Sequence, residues 1–383
     1  MYPQWTAQPQ NGHTVRVSAQ VATAPATTIV SAPPRLTSLD AFRGATVAAM
    51  VIVNNPGTWS AMYWPLEHAE WNGWTPTDLI FPFFLIIVGV SITLSSRTLS
   101  GKWTDILARG AVIVGCGLFM AGFPFFQPSH WRIPGVLFRI GLCYLAAAFL
   151  YRWTRGRRQV AVLCGIAAAI LVGYWFVLTR FGDLSPEGNV GAAIDRAVFG
   201  HHLWRARWDP EGLLSTAPAV ASTLLGILGG IWLRTHRGLT TKVAWMAAAG
   251  VTLFAAGEAW GASYPINKQL WSSSYVLLTA GAAALLLAAG MYLIEVRKIA
   301  AWSGPFVAIG RNALTVFVVS GLLAKLMGIV KIGSKSLQGI VYERGFAWIG
   351  APKNASLAFS IVFLAAMYAL CEVMRRRGVF LRA

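Results

Sequence analysis

The sequence predicts an all-α fold, a polytopic membrane bundle of about ten transmembrane helices. Three observations predict it. Of the 383 residues, 56% are hydrophobic and only 12% charged, where soluble domains carry about 25% charged residues. Mean hydropathy is +0.57. From Leu39 onward, apolar stretches near or above the roughly 18 residues that cross a bilayer recur between short polar breaks. Hydrocarbon offers the backbone no partners, so a spanning segment must satisfy itself as a helix or a closed barrel, and these lengths select helices.

Residues 1–34 are rich in Gln, Thr, Ala, Pro and Ser, with no apolar core before a small-residue cleavage site, and read as a disordered cytoplasmic tail. The transmembrane domain is expected over 35–383. Its spans are placed near 41–55, 77–96, 106–123, 134–151, 160–178, 213–233, 243–260, 273–294, 307–326 and 357–374. Orientation follows from the basic residues. Arg97 and Lys102, then Arg152, Arg155, Arg157 and Arg158, then Arg234, Arg237 and Lys242, then Arg297 and Lys298, occupy every second connection, and Arg375, Arg376 and Arg377 follow the last span. These ends are expected to be cytoplasmic, with both termini. The segment 327–354 breaks the pattern: it should be external yet holds Lys331, Lys335, Arg344 and Lys353, as a re-entrant piece or a substrate surface would. The connection 179–212 is the longest of the external ones, and loops of that length tend to be functional or disordered.

The formal charge of +18 comes in clusters between apolar runs, which points to anionic membrane lipids and not to nucleic acid. Cys116, Cys143, Cys164 and Cys371 all fall inside apolar stretches without CxxC spacing, so neither a disulfide framework nor a metal site is expected. No GxxxxGK[ST], HExxH or GxSxG occurs, which leaves P-loop, zincin and nucleophile-elbow chemistry unsupported.

Ionisable residues at membrane depth are costly, so each is a candidate with a partner to be named. Asp40 and Arg43 stand one helical turn apart in LDAFRG, spaced to pair with each other or to anchor the helix end. Asp78, in TPTDLIFPFF, opens the second span, where a cap with a first-turn Pro is the simpler reading beside substrate binding. Arg139, Glu258, Glu295 and Arg311 with Asn312 complete the set, though arginines at helix ends also snorkel to head groups. The strongest cluster is VIVNNPGTWSAMYWPLEHAEWNGWTPTD, with Asn54, Glu67, His68, Glu70 and Asn72 among aromatics. A neutral imidazole takes and returns a proton near pH 7; the aromatics equally suit an interfacial belt. In YPINKQLWSSSYVLL, Asn267 and Lys268 open the eighth span, Lys268 as an anchor or as the partner of a negative charge. In WDPEGLLSTAPA, Asp209 and Glu211 suit a helix N-terminus or a polar substrate.

LDAFRG, VNN, EHAEWNGWTPTDLIFPFFLIIVGVSI, RIPGVLFRIGLCYL, WDPEGLLSTAPA, PINKQLWSSSYVLLTAG and GRNALTVFVVSGLL resemble, in that order, the heparan-alpha-glucosaminide N-acetyltransferase family and its bacterial relatives. The resemblance runs from about Arg35 to the C-terminus. It implies a transmembrane acetyltransferase that uses cytosolic acetyl-CoA and acetylates an amino sugar on the opposite face. The family's active-site histidine falls on His68 and the Asn of its first-span VN dipeptide on Asn54. Glu70 stands where the human-type motif has Ser, and Phe138 where the family commonly has Gln, which leaves the acceptor open. The expectation is an enzyme of a bacterial cytoplasmic membrane, a homodimer by resemblance, with acetyl-CoA as co-substrate and a glycan or amino sugar as acceptor. His68 and Asn54 are its catalytic candidates; Arg43, Arg139, Arg311 and Asn312 its donor-binding ones; and Asp40, Asp78, Asp209, Glu211, Asn267 and Lys268 its substrate-binding ones. A second reading is a secondary transporter or flippase with Asp40, Arg43, Glu258 and Arg311 along its path, which would show inverted repeats or paired broken helices.

Overall fold

The computed structural model describes residues 36–95 and 101–378, and the expected tail, Arg97 and residues 379–383 lie outside them. Helix α1 (Thr37–Asn54) is followed by a long connection and by α2 (Ile80–Leu94), entered through a 3-10 turn at Pro76–Leu79. Then come α3 (Trp103–Gly122), α4 (Val136–Trp153), α5 (Gln159–Phe181), the short α6 (Val190–Phe199), α7 (Thr216–Leu233), α8 (Leu239–Gly261) and α9 (Ser273–Met291). The chain ends with α10 (Gly304–Arg311), α11 (Ala313–Ile329), α12 (Leu337–Gly345) and α13 (Pro352–Arg376). The protein is thus an all-α, polytopic membrane bundle. Among the described residues, eight helices are long and apolar enough to cross a bilayer, nine if the bent pair α10–α11 is one span. Helix α1 packs in the same bundle, but LDAFRG at its start keeps it less apolar than those.

Burial sorts the helices. Most of α2 and α7 is buried, and α9 runs between them and α8. Helices α3, α5 and α8 turn most of their apolar surface outward, as helices do when lipid is their solvent. Close approach between helices rests on a few glycines. A Cβ at Gly89 of α2 would lie 2.1 Å from the Thr223 carbonyl oxygen of α7, and one at Gly226 would lie 2.2 Å from that of Ile86. Gly44 and Gly310 bring α1 and α10 together in the same way, 1.7 Å from the Phe306 oxygen and 2.0 Å from the Asp40 oxygen.

Two features depart from a reading by hydropathy alone. The span expected as one helix at 307–326 bends by 72° between α10 and α11. At the break Asn312 has a non-helical backbone, and its Nδ2 donates to the Ala308 carbonyl, the kind of local bond by which Asn competes with helix geometry. The basic segment after α11 is a small hairpin, Lys331–Ile332 paired with Lys335–Ser336, followed by α12; its lysines are exposed. Glu295 also finds a role: its Oε1 accepts from the Ser38 N–H at 2.8 Å, placing an acid at the positive end of α1.

Candidate active site

The site is built from three polar connections, those that lead into α2, α9 and α7. In TPTD, Thr75 and Asp78 form a reciprocal cap on the turn that leads into α2. Asp78 Oδ2 accepts from the backbone N–H groups of Thr75 and Ala69, each at 3.0 Å. The cap read from the sequence is therefore present, but it uses one oxygen. The other, Oδ1, faces His68 Nδ1 at 2.7 Å. Asp78 is 1% exposed and the His68 side chain 46% exposed, so a fixed buried carboxylate aims a ring that solvent can reach. With Nδ1–H donating to the carboxylate, Nε2 keeps its lone pair, a tautomer assigned from the hydrogen-bond network.

The second wall is PINKQLWSS. Asn267, fully buried, donates from Nδ2 to Asn72 Oδ1 at 3.1 Å, while its Oδ1 accepts the Leu270 N–H at 2.8 Å. The Gly73 N–H donates to the Ile266 carbonyl at 2.8 Å. These bonds stitch the histidine loop to the segment before α9, and so they fix where Lys268 reaches. Its Nζ lies 3.0 Å from His68 Nδ1, 3.2 Å from Nε2 and 3.4 Å from Asp78 Oδ1. The ammonium thus stands by both ring nitrogens, within hydrogen-bond reach of the Nε2 lone pair. Burial pushes the Lys268 pKa below the ordinary lysine value, while the charges of Asp78 and Glu211 hold it up.

Beneath this pair lies an aromatic floor. Tyr275 donates its hydroxyl proton to the Asp78 carbonyl at 2.5 Å and packs edge-on against Trp271. Trp271 is 1% exposed and holds φ at 54°, a left-handed conformation that a bulky residue keeps only when its surroundings impose it. Arg139 lies over its ring at 5.1 Å. Its Nη2 donates to the Gly212 carbonyl at 3.0 Å and to Ser215 Oγ at 2.5 Å. Arg139 Nε and Nη1 are buried without a partner among the described residues.

The third wall carries Asp209 and Glu211. Both are gripped by Arg132, whose Nε and Nη2 reach the Asp209 carboxylate at 2.9 and 2.6 Å while Nη2 also donates to Glu211. Nearby, burial and the charge of Asp209 raise the Asp195 pKa to about 6 against the opposing bond from the Leu213 N–H. Sequence reasoning missed Arg132, and the one signal for it was a lone arginine in an external connection otherwise free of Lys and Arg. It also missed Tyr275 and Trp271, which carry no sequence mark beyond aromaticity.

The structure brings His68, Asp78, Lys268 and Asn267 together, with Glu211 and Arg139 close behind. The other candidates lie elsewhere. Asn54 is exposed in a separate cavity of about 210 Å³ beside Phe359 and Gln338, and no described hydrogen bond joins it to His68. Asp40 and Arg43 pair at 3.0 Å, and Arg43 also donates to Ser91 at the far end of α2 and to the Gly310 carbonyl. That places them next to Arg311 and Asn312, a helix length from Asp78.

Comparison with known proteins places the chain among its relatives. Residues 35–192 match the family described as "Heparan-alpha-glucosaminide N-acetyltransferase, catalytic". Over 363 residues the chain is 31% identical to the Heparan-alpha-glucosaminide N-acetyltransferase of Homo sapiens, covering 77% of this chain and 54% of that protein. The protein of the same name from Mus musculus is 30% identical over 362 residues, covering 75% and 53%. The chain spans about half the length of these curated relatives. His68 and Asp78 both fall inside the matched catalytic region, and the family resemblance read from the motifs is borne out: this membrane bundle is a relative of the heparan-alpha-glucosaminide N-acetyltransferases.

Proposed function

We propose that the chain is a membrane acetyltransferase that moves the acetyl group of acetyl-CoA to an amine or hydroxyl of a sugar at the end of the bundle where His68 stands. The observation that carries the reading is the 2.7 Å bond from His68 Nδ1 to a buried Asp78 carboxylate, which leaves the lone pair on Nε2 of a half-exposed ring to act as a base. Nε2 takes the proton of the acceptor N–H or O–H as that atom attacks the thioester carbonyl carbon. The C–S bond then breaks, and the departing thiolate takes the proton back from Nε2. Asp78 holds the ring in the required tautomer and offsets the imidazolium charge, and Lys268, whose Nζ is 3.2 Å from Nε2, offers its positive charge to the oxyanion.

The relatives' name supports the reaction class, since they are N-acetyltransferases. The opposite end of the bundle supports the direction of supply. Arg43 and Arg311 lie there beside the helix break, and basic groups suit the phosphates of a donor arriving from the cytoplasm. Arg139, buried over Trp271 with two unpartnered N–H groups, suits a carbonyl of the donor's arm better than a phosphate. The transporter alternative asks for broken helices in pairs; among the described residues one bent pair occurs.

The test is transfer of label from acetyl-CoA to an amino sugar in membrane vesicles. His68→Ala is expected to lose at least ~10²-fold, the usual contribution of a general base, while binding of CoA persists. Near-normal transfer by that variant removes the imidazole from the mechanism.

A further inference from the structure

A cavity of about 600 Å³ lies in the half of the bundle away from His68. Its walls are the later turns of α2, at Ile86 and Val90, the later turns of α7, the first half of α8 and the later turns of α9. Asp78, Ser215 and Lys268 sit at the other ends of these helices or before them. A Cβ at Gly229 of α7 would meet nothing within 4 Å, so the cavity reaches the helix backbone. Apart from Arg237, the described residues lining it are apolar, and Trp232 and Trp245 stand with that arginine toward the α7–α8 connection.

We propose that this cavity holds one acyl chain of an anionic phospholipid, with the lipid phosphate against Arg237. The chemistry of the lining selects the occupant. A pantetheine arm carries two amides that would find no hydrogen-bond partners along the apolar walls away from Arg237, at a cost that a hydrocarbon chain does not meet. Arg237 is exposed and has no carboxylate partner among the described residues, so its charge is available to a phosphate. Two tryptophans at the level of a basic residue mark the depth at which lipid head groups meet the acyl region. The site lies on the end of the bundle whose connections carry Arg234, Arg237 and Lys242, the face where anionic lipids are held.

The test is native mass spectrometry of the purified full chain after incubation with phosphatidylglycerol or phosphatidylcholine of identical chains, with and without acetyl-CoA. The wild-type protein is expected to retain phosphatidylglycerol about fivefold over phosphatidylcholine, the preference that one arginine near the membrane surface supplies. Arg237→Gln should bring the two lipids to parity. Gly229→Leu, which fills the cavity, should lower retention of both, while Gly165→Leu, on open surface of α5, should change neither. Ala284→Leu on the opposite wall repeats the block should Gly229→Leu fold poorly. Equal retention of both lipids by the wild-type protein, undiminished retention by the blocked variants, or displacement of lipid by acetyl-CoA overturns the proposal.

Discussion

The Lys268 ammonium stands 3.0 Å from an imidazole nitrogen and 3.4 Å from a buried carboxylate oxygen. Burial lowers the Lys268 pKa, so its charge is present below that depressed value and is lost as pH rises through it. Transfer is therefore expected to fall on the alkaline side at a pH below the ordinary lysine value of about 10.4. Lys268→Met should remove this alkaline limb along with part of the rate, and Lys268→Arg should shift it upward because a guanidinium stays charged. Initial rates across pH 6–11, a range of about five units around the lysine and histidine values, decide it: an identical limb in wild type and Lys268→Met would show that the fall belongs to another group. His68, Asp78 and Lys268 were each legible as single residues. Their meeting was not, because His68 and Lys268 stand 200 positions apart and nothing local in either segment records the other.

Helices α1 and α10 meet through backbone, with Gly44 and Gly310 each facing a carbonyl oxygen. An alanine at position 310 places its Cβ 2.0 Å from the Asp40 oxygen, and the overlap has no flexible side chain to absorb it. Gly310→Ala is expected to cost about 1–3 kcal/mol, the usual range for overpacking, and to disturb the Asp40–Arg43 pair on the same turn of α1. Gly165→Ala, whose new methyl meets nothing within 4 Å, should be neutral or stabilising by up to about 1 kcal/mol through helix propensity. Thermal unfolding in detergent compares them, and a Gly310→Ala protein as stable as wild type would mean the crossing is looser than described. The helices themselves were readable from runs of apolar residues. The bend at Asn312 was not, because a window of hydropathy averages over a single polar residue, while the backbone responds to that residue's own bond to Ala308.

Across the whole bundle, the basic clusters and the His68 loop are expected on opposite sides of the membrane. Glu70→Cys and Arg157→Cys, both at exposed positions, test this in a background with Cys164→Ala. An impermeant maleimide should label the first from outside only and the second from the cytoplasm only; labelling of both from one side would defeat any scheme with donor and acceptor on opposite faces. The amino-acid sequence by itself determined the membrane class, the rough position of most spans, the expected orientation and the pool of polar residues worth watching. These are sums along the chain of hydropathy and charge, and a neighbour's identity hardly changes them. Only the tertiary structure decided which polar groups meet. It gave Asp78 a second role beyond its cap, clamped Asp209 and Glu211 on Arg132, set Asn54 apart from His68 and opened a cavity beside Gly229. Such contacts depend on how helices cross, and the crossings are fixed by a handful of glycine and side-chain approaches that no single segment contains.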